Sequence, residues 1–107
     1  MAPTQLEIKV RALQRLIKEE KYYQDELKEQ KERVEVLKKD TSVDPYDLKK
    51  QIEVMQDTER LLPRFYEKVE QFHNDLKEFV NGYHGDEDTG DAHKALKLGS
   101  DLLASRK

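Results

Sequence analysis

The side chains with catalytic or metal-binding chemistry in this chain are three histidines and one run of acids. General acid–base or nucleophilic work needs such groups held together in a pocket. His73, His84 and His93 are not three or four residues apart, and none adjoins a serine–acid arrangement. Asp86-Glu87-Asp88-Thr89-Gly90-Asp91 has the composition of a calcium loop, which needs Gly at position six and a bidentate Glu at position twelve. Counted from Asp86, Gly90 is fifth and Lys97 is twelfth, so the acids read as the negative start of a helix. The glycines, at 82, 85, 90 and 99, form no phosphate-binding loop. Cysteine is absent, which excludes thiol catalysis and disulfides and suits a cytosolic protein. Arg11, Arg15 and Lys18 make a short basic strip, but a net charge of −3 and a pI near 5.7 argue against nucleic-acid binding. The residues thus predict no enzyme, no catalytic or metal site, no cofactor and no small-molecule substrate. A binding protein is left.

The elements that would carry a binding surface follow from composition. The chain has 107 residues, room for a single domain over 1–107, with 40% charged and 36% apolar residues. Ala, Glu, Lys, Leu and Arg supply about half of it, the composition of long amphipathic helices or a coiled coil. No run of 18 apolar residues is present to span a membrane, and the N-terminus does not read as a secretory signal.

Two breaks, Asp40-Thr41-Ser42-Val43-Asp44-Pro45 and Asn81-Gly82-Tyr83-His84-Gly85-Asp86, separate three helical segments. The first, about 5–39, opens with Thr4 and Glu7 in capping-box spacing and carries a 3-4 seam from Leu6 to Leu37. The second, about 45–82, starts with Asp44 as N-cap and Pro45 at the first helical position. Its seam from Leu48 to Tyr83 passes unbroken through Pro63, which predicts a kink and not a stop. The third, about 87–105, is shorter and weakened by Gly90 and Gly99. The expected fold is all-α, an antiparallel three-helix bundle.

Length then predicts where the surface lies. Two helices of about 50 Å and one half as long leave the third covering only the start of the first and the end of the second. The apolar stripe is doubled there, as at Leu16–Ile17 and Phe65–Tyr66, and single from Tyr23 to Leu37 and Leu48 to Met55. Tyr22, Tyr46 and Phe65 fall beside the seam, where they either shield the core or anchor a protein partner. Val36 and Val54 favour the anchor, with Lys49, Lys50, Glu53 and Asp57 to steer encounter and select partners.

Particular residue blocks carry a family resemblance. Gln5-Leu6-Glu7-Ile8-Lys9-Val10, Arg15-Leu16-Ile17-Lys18-Glu19-Glu20, Asp44-Pro45-Tyr46-Asp47-Leu48-Lys49-Lys50-Gln51 and Leu61-Leu62-Pro63 resemble the tubulin-binding cofactor A family, its fungal members above all. The resemblance covers nearly the whole chain. It implies a three-helix bundle of the cytoplasm, associated with the microtubule cytoskeleton, that uses neither nucleotide nor metal. It further implies a chaperone that captures β-tubulin released from the cytosolic chaperonin, holds it in a quasi-native state and passes it toward αβ-heterodimer assembly. The alternative expectation is a coiled-coil structural adaptor that homodimerises through its exposed seam.

Overall fold

The computed structural model describes residues 2–106 and contains α1 (Gln5–Lys39), α2 (Pro45–Asn81) and α3 (Gly90–Ser105). The expected all-α, antiparallel three-helix fold is present, with α1 bounded as the sequence predicts and α2 continuous through Pro63. No helix among the described residues is long and apolar enough to cross a membrane.

The caps explain the boundaries. The Thr4 hydroxyl accepts the Glu7 N–H at 3.2 Å, half of the capping box, and itself donates to the Glu87 carboxylate at 2.8 Å. The Glu7 carboxylate turns instead to Arg11, 3.6 Å away. Between α1 and α2, one oxygen of Asp40 accepts both the N–H and the hydroxyl of Ser42, at 2.9 and 2.6 Å. Those bonds, the hydroxyl's foremost, hold the Asp40 carboxyl below its ordinary range. Asp44 then caps α2: its side chain accepts the Tyr46 N–H at 2.9 Å, and its carbonyl accepts those of Asp47 and Leu48.

The start of α3 corrects the expectation of residue 87. The Glu87 N–H donates to the Tyr83 hydroxyl at 3.1 Å, and Asp88 accepts the Gly90 N–H at 2.8 Å in an Asx turn. These side-chain bonds keep 86–88 out of the helix. Its first carbonyl is that of Thr89, accepting from His93 at 3.0 Å. Only Asp91 among the acids lies in the first turn. At the other boundary, α2 ends at Asn81, one residue before the expected 82.

The chain forms two compact units. One joins residues 2–19 to residues 65–106, and the other is residues 20–64. In the first, Leu6, Val10, Leu13 and Leu16 of α1 meet Phe65, Tyr66, Val69 and Leu76 of α2. The third helix contributes small residues, with Ala92, Ala95 and Gly99 buried beside Leu102. Small side chains let backbones approach closely. A Cβ on Gly99 would meet the Leu13 methyls at 3.6 and 3.7 Å and the His73 ring closer still. On its rim, Lys9 pairs with Asp75 at 2.6 Å and lies 5.5 Å from the Phe79 ring centre.

The second unit is a two-helix hairpin with a thin seam. Leu27, Gln30 and Val34 of α1 and Thr58 and Leu62 of α2 are buried. Tyr23, Leu37, Leu48, Ile52 and Met55 are half-buried. The Gln30 amide nitrogen reaches Glu26 at 3.4 Å, and its buried oxygen has no hydrogen-bond partner among the described residues.

Candidate partner-binding face

An isolated pair of helices buries one stripe of each and leaves the remaining surface to solvent. In the 20–64 unit that surface carries large apolar side chains: Tyr22, Val36 and Tyr46 are each more than 60% exposed, and Val54 and Leu61 more than 40%. Lys49, Lys50, Glu53 and Asp57 are exposed as well. The Lys50 ammonium lies 5.6 Å from the Tyr46 ring centre, and Asp57 accepts from Arg60 at 3.4 Å.

Helical rotation sorts these residues by side. At about 100° per residue, Tyr22 and Val36 lie roughly 110–150° round α1 from the Leu27–Gln30–Val34 seam. On α2, Lys50, Val54, Asp57 and Leu61 lie roughly 100–160° round, in the same sense, from the Leu48–Met55–Leu62 seam, with Tyr46 at the outer edge. Equal rotation on two antiparallel helices is rotation toward the same side of the pair. One side of the hairpin therefore displays Tyr22, Val36, Tyr46, Val54 and Leu61, set among charges.

The structure brings together six of the nine expected partner residues: Tyr22, Val36, Tyr46, Lys50, Val54 and Asp57. Lys49 and Glu53 belong elsewhere, lining a shallow groove of about 350 Å³ with Pro45, Leu48, Ile52 and Gln56. Adjacent residues point about 100° apart, which is why Lys49 and Lys50 part company. Phe65 is a correction. It is 6% exposed, packed edge-to-face on Tyr66 with ring centres 6.2 Å apart, in the unit that contains α3. Where a helix has two neighbours its buried stripe widens, and Phe65 falls inside the widened stripe. Leu61 is the residue that sequence reasoning missed. Its signal was the seven-residue step from Val54, hidden because Leu62 next to it belongs to the seam.

The polar chemistry is structural. His73 is buried, its Nε2 3.0 Å from the Leu96 carbonyl and 3.1 Å from the Ser100 hydroxyl. A carbonyl only accepts, so the bond to Leu96 places the proton on Nε2. His84 and His93 are exposed. Among the described residues no three His, Asp or Glu side chains converge as metal ligands. An open groove of about 550 Å³ between the start of α1 and the start of α3 is lined by Glu7, Glu87, Asp88 and Asp91 opposite Arg11.

Fold and surface define the class: an all-α helical protein whose chemistry is that of a protein-contact surface. The family model for tubulin binding cofactor A matches residues 1–98. A tubulin-specific chaperone A of Saccharomyces cerevisiae is 58% identical over 106 residues, 99% of this chain and 100% of that one. Its human counterpart is 32% identical over 76 residues, 71% of this chain and 69% of that one. A solved structure of Rbl2p, described as a β-tubulin binding post-chaperonin cofactor, superposes with a TM-score of 0.89 at 58% identity, covering 95% of this chain and all of that one. The chain belongs to the tubulin binding cofactor A family.

Proposed function

We propose that this protein binds β-tubulin in the cytoplasm, as the description of its structural relative says of Rbl2p, and acts as a stoichiometric folding cofactor. It captures quasi-native β-tubulin after the chaperonin and yields it toward αβ-heterodimer assembly, with no catalytic step. The observation that carries the reading is the side of the 20–64 hairpin bearing Tyr22, Val36, Tyr46, Val54 and Leu61. Tyrosines and aliphatics ringed by charge are the composition of a protein interface core, with Lys50 and Asp57 placed to steer encounter. This side shields β-tubulin surface that α-tubulin later covers.

Cross-linking mass spectrometry on the purified complex tests partner and side together. Cross-links from Lys50 and its neighbours to β-tubulin, with no capture of α-tubulin alone, support the reading. Absence of β-tubulin binding at micromolar concentration overturns it. A tight homodimer in sedimentation, with the same side buried, would point instead to the structural adaptor.

A further inference from the structure

The two sides of the 20–64 hairpin differ in charge as well as in apolar content. On α1, Lys21, Lys28, Lys31, Lys38 and Lys39 lie roughly 50–150° round from the Leu27–Gln30–Val34 seam, in the sense opposite to Tyr22 and Val36. Glu26 and Glu29 fall on the tyrosine side, and Glu35 is the acid among the lysines. By the same rotation, Lys49 of α2 joins the lysine side. Lys38 meets Glu35 at 3.8 Å. Among the described residues, Lys21, Lys28, Lys31, Lys39 and Lys49 have no carboxylate within 4.0 Å.

Two shallow grooves open on this same side. One, of about 260 Å³, has Leu27 for a floor and Lys28 and Lys31 on its rim. The other, of about 350 Å³, has Leu48 and Ile52 for a floor and Lys49 on its rim. Apolar floors take apolar side chains, and unpaired ammonium groups around them take carboxylates.

We propose that the lysine side of the hairpin is a second docking surface, which binds an acidic polypeptide segment carrying aliphatic side chains. Its aliphatic residues enter the Leu27 and Leu48–Ile52 grooves while its carboxylates pair with Lys28, Lys31 and Lys49. The charge pattern selects a peptide over a nucleic acid. A polyphosphate has nothing to place on the apolar floors, and a chain of net charge −3 repels a long polyanion beyond the patch. The proposal is independent of the tyrosine side and of what binds there.

The test uses the full chain and a fluorescein-labelled synthetic peptide of repeated Glu-Glu-Leu, followed by anisotropy. Binding by the wild type, weakening steeply with added salt, is expected. The double variant Lys28→Glu/Lys31→Glu should lose about tenfold or more in affinity. Tyr22→Ala/Tyr46→Ala should bind the peptide as the wild type does. Both substitutions fall on exposed positions, and far-UV circular dichroism checks that the helices persist. Amide shift perturbations of the wild type should centre on Gln24–Lys31 and Leu48–Ile52. The proposal is overturned by no binding at physiological salt, by undiminished binding of the charge-reversed variant, or by shifts centred on Tyr22 and Val54. Equal affinity for an oligothymidylate or for a Glu-Glu-Ser repeat also overturns it, since the apolar grooves would then contribute nothing.

Discussion

A Cβ placed on Gly99 would stand 2.9 Å from Cδ2 of His73, so the bare backbone of α3 at this point is what the buried imidazole packs against. The ring is held by Leu96 and Ser100 and cannot swing aside as a flexible chain end would. Gly99→Ala gains about 1 kcal/mol of helix propensity but overpacks a filled contact, which costs about 1–3 kcal/mol and displaces the Nε2 bond. The melting temperature of the variant should fall. A rise would mean that the contact yields freely.

Gln30 gives a prediction of the opposite sign. Its buried Oε1 lacks a partner among the described residues, a desolvation cost of about 1–3 kcal/mol. Gln30→Met keeps the length and removes the orphan, so urea unfolding should show a gain of about 1 kcal/mol. A loss would show that the amide fixes the register of the hairpin, as single buried polar residues do in coiled coils.

The exposed tyrosines and Phe65 separate binding from stability. Tyr22→Ala/Tyr46→Ala should leave stability within about 0.5 kcal/mol per site while weakening β-tubulin capture. Phe65→Ala should cost about 3–5 kcal/mol, as large core truncations do. Melting curves beside pull-downs would distinguish them. Unfolding of the tyrosine variant would place those rings in the core.

Asp40 supplies a pH dependence whose sign is fixed by its hydrogen bonds to Ser42. The folded carboxyl titrates below its unfolded counterpart, so its stabilising contribution is complete above the unfolded pKa of about 4. That contribution disappears as pH falls through the folded value. A carbon-detected titration should place the Asp40 midpoint below the ordinary aspartate range, and Ser42→Ala should return it. An unchanged midpoint in the variant would assign the shift to another cause.

Much of this molecule is readable from residue types because local chemistry decides it. Thr4 and Asp44 begin α1 and α2 with bonds to backbone N–H groups a few residues on, and such caps are written in the sequence itself. The start of α3 was not readable, because it rests on the Tyr83 hydroxyl reaching the backbone of Glu87. For Phe65, periodicity marks a direction on the helix but not how many neighbours lie in that direction. The division of Lys49 from Lys50 and the place of Leu61 required the direction of the seam, known only once the partner helix is in place.

The division into a continuous hairpin and a discontinuous unit bears on how the chain acquires its structure. Contacts within 20–64 are local, and loop closure for them needs only the Asp40–Asp44 turn. The hydrogen bond from Thr4 to Glu87 joins residues 83 apart, and Leu6, Val10, Leu13 and Leu16 gain full cover only with residues from 65 onward. During synthesis from the N-terminus, the hairpin can therefore close while the first four turns of α1 still expose their leucines. A member of a chaperone family is itself, for that interval, a nascent chain with an uncovered apolar stripe.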